Sequence, residues 1–355
     1  VEIHPDDANV VLVAAIGQAF NPNEERGVYR TKNGGESWEK VLFISDTIGF
    51  SDLEFAPDNP NIIYAGAWRA ERKPWTIISG GMEGGIYKSK DGGDTWNKIT
   101  NGLPDGLVGK IDFAVSKAAP NLVYALIEAP EGKGGLYLSE DYGDNFELIS
   151  TNKRILDRPF YYCNVDADPK NPDLLYVSST QFWVSKDGGK KWNRQNTPHG
   201  DNHDIWINPN NPDIFIQAND GGANVTLNRG KSWSSQSNQP TAELYQVEVD
   251  DQIPYRLYAG QQDNSTISLP ALPEVQVGSE EIAERVEEFR RRFDTDEAFR
   301  AQLAQSNLSM RQLKEQIEDQ LLIKQAIEIN VRSTIQISPL DIATELQTKP
   351  ELTAP

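Results

Sequence analysis

The chain has 355 residues, with 34 Lys and Arg against 53 Asp and Glu, and a formal net charge of −19. That balance argues against nucleic acid as a partner, and no run of 18 apolar residues offers a membrane-spanning helix. The single cysteine, Cys163, rules out an internal disulfide and reads as a buried strand residue.

From the start, two elements alternate. The first is a polar Pro-Asn turn leading into an apolar strand, as in Pro57-Asp-Asn-Pro60-Asn-Ile62-Ile-Tyr64 and Pro169-Lys-Asn-Pro172-Asp-Leu174-Leu-Tyr176. The second is an eight-residue phrase, S/T-x-D/N-x-G-x-S/T-W/F. It begins at Thr31, Ser89, Ser139, Ser185 and Thr226, with Asn145 and Lys191 departing at the seventh position. Its third positions are Asn33, Asp91, Asp141, Asp187 and Asn228, and its last are Trp38, Trp96, Phe146, Trp192 and Trp233. The short polar side chain accepts backbone N–H groups, the glycine supplies positive φ, and the aromatic ring is an anchor. These ten residues are read as structural. Four short strands per unit at this period predict a propeller blade.

The phrase is the Asp-box. With Ala67-Trp68-Arg69, Thr197-Pro-His199-Gly-Asp201-Asn202-His203-Asp204, Asn219-Asp220-Gly-Gly222, Asn238-Gln-Pro-Thr241 and Gly260-Gln-Gln-Asp263, it makes residues 1–269 resemble bacterial Vps10/sortilin-type repeat proteins. Such proteins are often labelled glycosyl hydrolases. The resemblance implies an all-β propeller, here about five and a half blades and incomplete, and an extracytoplasmic setting. The chain opens at Val1 in mid-blade, so a fragment or a fused gene product with no independent activity is one expectation.

Opposite the boxes, the loop end of the blades carries Arg69, Trp75, Arg158, His203 and Asp263, the candidate ligand-binding residues. A glycosidase needs two carboxylates about 5–9.5 Å apart, and Asp201, Asp204 and Asp220 are the catalytic candidates. Asp and Asn in such loops also form Asx turns and cap strand ends. His199-x-x-x-His203 would put both rings on one side only in a helix, and a strand follows here, so no metal is expected. No cofactor is implied. The favoured function is non-catalytic binding of peptide or glycan, with hydrolysis as the alternative.

After a linker at 270–278 the period becomes helical. Ile282, Val286, Phe289 and Phe293 line one face of a helix capped by Ser279. A second helix runs over 297–305, and Ser309-x-x-Gln312 is a capping box opening a third helix to about Asn330. A short strand at 335–337 and a helix start at Ser338-Pro339 follow. Residues 279–355 resemble the SurA/PrsA-type chaperone segment of parvulin isomerases, without the catalytic domain. That resemblance implies unfolded-protein clients, with Phe299 and Leu303 as the contacts.

Overall fold

The computed structural model describes residues 1–236, 242–252, 255–271, 278–306 and 308–327. The string Asn238 to Thr241, the linker interior 272–277, the third helix's end near Asn330, the strand at 335–337 and the Ser338-Pro339 start lie outside the described residues. Contacts divide the chain into two compact units, Val1–Thr241 and Ala242–Pro355. The strands of 244–270 thus group with the helices, whereas the sequence reading joins them to residues 1–243.

The first unit is a β-propeller of successive antiparallel blades. Blade one comprises Glu2–Ile3, Val11–Ala15, Gly27–Thr31 and Glu39–Leu42. Blade two comprises Gly49–Ala56, Asn59–Trp68, Gly85–Ser89 and Asn97–Ile99. An unforeseen hairpin, Ala70–Lys73 with Thr76–Ser79, is inserted between its second and third strands. Blade three runs Ile111–Val115, Val123–Ile127, Gly135–Ser139 and Glu147–Ser150. Blade four runs Asn164–Asp168, Asn171–Ser178, Phe182–Ser185 and Asn193–Gln195. Blade five has three strands among the described residues, Asn202–Ile207, Phe215–Asn219 and Gly222–Thr226.

The five boxes fold alike. The first-position hydroxyl accepts the fifth-position N–H at 2.7–3.0 Å. The third-position oxygen accepts the seventh-position N–H at 2.8–3.0 Å. The fourth-position N–H donates to the Pro-Asn turn of its own blade, as Gly34 to Asn9 and Gly92 to Asn61, both at 2.9 Å. Box and Pro-Asn turn therefore share one end of each blade.

The box aromatic packs backwards, onto the preceding blade. Trp96 joins the cluster of Leu12 and Val28, Phe146 that of Ile86, Trp192 that of Leu136, and Trp233 that of Tyr176 and Phe182. Each buried apolar side chain contributes about 1.5–3 kcal/mol. Trp38 is 45% exposed, since no sheet precedes it among the described residues. Cys163 is buried with φ 82°, one residue before the first strand of blade four rather than within it.

The second unit holds a sheet of Leu244–Val249, Arg256–Gln261 and Thr266–Pro270. It also holds helices α1 (Ser279–Arg290), α2 (Asp296–Gln305) and α3 (Met310–Ile327). Ser279 is the first helical residue. The cap is Gly278, without a side-chain hydrogen bond. The capping box forms: Ser309 N–H donates to Gln312 Oε1 at 2.9 Å and Gln312 N–H to Ser309 Oγ at 3.3 Å. Phe299 and Leu303, read as client contacts, are instead core residues, 2% and 7% exposed. They pack on Leu313, Ile317 and Leu321, because the apolar stripes of three helices bury best against one another. Among the described residues no helix is long and apolar enough to cross a membrane.

Candidate binding site

The loop end of blades four and five gathers most of the candidate residues. Arg158, on the loop before blade four, donates from Nη1 to the Tyr162 hydroxyl at 3.2 Å. Tyr162 donates to Asp201 Oδ1 at 2.9 Å. His203 Nε2 and Asp220 Oδ1 are 2.6 Å apart. The His203 ring meets Tyr161 and Tyr162 edge-on, with centroids at 5.3 and 5.4 Å. The Arg158 guanidinium lies 5.2 Å from the Tyr161 centroid and 5.3 Å from that of Tyr162. Burial, then the Asp201 carboxylate, pushes the Tyr162 phenol well up, so it stays a donor.

The backbone here is strained. Arg158, Cys163 and Asp201 all have positive φ, at 57°, 82° and 49°. Such outliers persist where surrounding contacts over-determine them, and they concentrate at functional sites. Asp201 is held by its N–H to Thr180 O at 3.1 Å, and its carbonyl accepts the Asp220 N–H at 3.2 Å. One side of the cluster stays open: Tyr161 is 39% exposed.

Each of the three catalytic candidates has a local hydrogen-bond partner. Asp201 is engaged by Tyr162, Asp220 by His203, and Asp204 Oδ1 accepts the Ile205 N–H at 2.8 Å. Arg69 donates to Glu71 Oε1 at 2.8 and 2.9 Å, and Trp75 stands exposed at the tip of the inserted hairpin. Asp263 belongs to the second unit, on the turn after Gln261, with φ 55°.

The sequence reading missed Tyr161 and Tyr162 as members of the cluster. Their adjacency to Arg158 was the available signal. It also missed two rows of carboxylates along the first strands. Asp52, Asp112 and Asp204 occupy one register level, opposite Gly66, Leu126 and Ala218 of their second strands. Glu2, Glu54 and Asp166 occupy the next, opposite Leu12, Tyr64 and Tyr176. Asp52 Oδ2 accepts the Phe113 N–H at 2.8 Å and Asp112 Oδ2 the Val165 N–H at 2.7 Å. Both bonds reach the first strand of the next blade and satisfy its open edge. Burial raises Asp52 to about 6 and, with Asp52 beside it, Glu2 to about 7; Glu54, Asp112 and Asp166 are pushed well up by burial and then by Glu2, Asp52 and Asp204 respectively. Among the described residues no cluster of His, Cys, Asp and Glu has the geometry of a metal site.

No family model matches the chain. It is 26% identical over 216 residues to a xyloglucanase of Acetivibrio thermocellus, covering 49% of this chain and 24% of the relative. It is 27% identical over 154 residues to sortilin of Rattus norvegicus, covering 41% and 17%. The chain thus spans a quarter or less of these relatives. The solved GH74 xyloglucanase of Xanthomonas campestris aligns with a TM-score of 0.52 at 16% identity, over 75% of this chain and 42% of that one. These are weak homologies to propeller proteins, and at that identity the structural likeness is one of fold. The resemblance to SurA-type chaperones finds no counterpart among these relatives.

Proposed function

We propose that the first unit is a non-catalytic glycan-binding propeller whose contact surface is formed by Arg158, Tyr161 and His203, backed by the buried Tyr162. The observation that carries this is the pairing of every nearby candidate carboxylate with a fixed local partner. The Tyr161 ring and the Arg158 guanidinium are left to face a ligand. Ring faces stack on sugars, and the Arg158 fork suits hydroxyl or carboxylate oxygens. An extracytoplasmic location belongs to the same reading, because polysaccharides are met outside the cytoplasm. Hydrolysis is the second reading, and the xyloglucanase relatives favour it.

Titration calorimetry of the full chain against xyloglucan oligosaccharides tests this. Binding is expected, weakened about tenfold by Tyr161→Ala or Arg158→Ala, without release of reducing ends. Reducing ends that vanish in Asp201→Asn would replace binding by hydrolysis. Failure to bind any glycan would sink both readings.

A further inference from the structure

The boxes differ in charge around the propeller, and the difference exposes a second site. At its sixth position the box reads Glu36, Asp94, Asp144, Lys190 and Lys231 in chain order. The residue just before the box reads Arg30, Lys88, Leu138, Val184 and Val225. In the first seams these positions meet. Arg30 of blade one pairs with Asp94 of blade two at 2.6 Å, and Lys88 of blade two with Asp144 of blade three at 2.7 Å. The second-position lysines reinforce them, Lys32 at 3.8 Å from Asp94 and Lys90 at 3.1 Å from Asp144. An ion pair thus closes each of those seams.

The seam between blades four and five has lost both halves of that closure. Val184 stands where Arg30 and Lys88 stand, and Lys231 where Asp94 and Asp144 stand. Lys186 takes the place of Lys90, so two lysines hold the positions of an opposite pair. A cleft of about 930 Å³ lies there. Its floor is Leu174, Tyr176, Val184 and Trp233, and its cations are Lys186, Arg194, Arg229 and Lys231. Among its described lining residues there is no carboxylate, in a chain of net charge −19. Arg229 is held by Asp213 at 2.6 Å and Asp168 at 3.3 Å. Lys186, Arg194 and Lys231 have no ion-pair partner among the described residues. Like charges at adjoining positions repel unless an anion lies between them.

We infer that this seam binds a carbohydrate carrying carboxylates, a uronate chain. The cations take the carboxylates, the Trp233 indole offers a sugar its ring, and Asn196 and Thr197 on the rim offer partners for hydroxyls. The site is separate from the Arg158 cluster and does not depend on it.

The test is binding of the full chain to oligogalacturonate, to neutral xyloglucan oligosaccharide and to poly-glutamate. Oligogalacturonate should bind, and the binding should weaken as salt rises. Lys186→Gln, an exposed change that leaves the fold intact, should weaken it about tenfold. Val184→Arg with Lys231→Asp rebuilds the closure of the first seams and should abolish it, while Tyr161→Ala should not alter it. Unchanged oligogalacturonate affinity in Lys186→Gln, or equal or tighter binding of poly-glutamate, would overturn the inference. Should the double variant not fold, Lys186→Gln and the salt series still decide.

Discussion

Carboxylates at the turn end of the blades and carboxylates along the inner strands meet opposite surroundings. Asp91 is exposed and accepts from the Thr95 hydroxyl at 2.6 Å, the Thr95 N–H at 2.8 Å and the Ser89 hydroxyl at 2.8 Å. Those bonds, Thr95 first, lower it to about 2. Asn145 does the same for Asp141, also to about 2. Asp52 has N–H donors too, yet burial raises it to about 6. Hydrogen bonds to the charged form win in water, and desolvation wins inside. One side chain thus staples turns in one place and stores charge repulsion in the other.

The two regions should respond to pH with opposite sign. A lowered carboxyl pKa adds stability above the ordinary value near 4 that is lost as pH falls toward 2. A raised one adds stability below about 4 that is lost as pH rises through 6 to 7. Acid unfolding therefore reports the boxes, and weakening between pH 4 and 7 reports the inner strands.

The largest effect expected concerns what the boxes anchor. Phe146→Ala should cost about 3–5 kcal/mol in urea unfolding, because the ring is 6% exposed between blades. Trp38→Ala should cost about 1 kcal/mol or less, since a half-exposed ring leaves little cavity. Equal costs would show that the aromatic acts within its own turn.

Next comes Asp52→Asn. The amide oxygen can still accept the Phe113 N–H, and the buried charge is gone. The variant should be more stable than wild type by about 1–3 kcal/mol at pH 7.5 and indistinguishable from it at pH 4. A loss of stability at pH 7.5 would mean that the inner-strand charge is compensated.

The smallest effect is that of Asp91→Ala. Its melting temperature should lie below wild type at pH 6, and the gap should narrow as pH approaches 2. A gap that stays constant with pH would remove the ionised carboxylate from the account.

The blades were legible in the residue pattern. Each box closes through hydrogen bonds between residues four apart, so spacing alone carries the turn, and alternating Pro-Asn turns carry the strand order. The helices of the second unit were legible for the same reason, since the capping box and apolar stripe are local patterns. The remainder came from packing between distant segments. Asp52 and Asp112 meet the N–H donors they accept from in the next blade, 61 and 53 residues on. Asp201 finds Tyr162 at a separation of 39, and His203 finds Asp220 at 17. Whether Asp201 was a free acid or a fixed acceptor depended on how two blades lie together. The same holds for Phe299 and Leu303: an apolar stripe shows that a surface will be covered, and packing alone decides that neighbouring helices cover it.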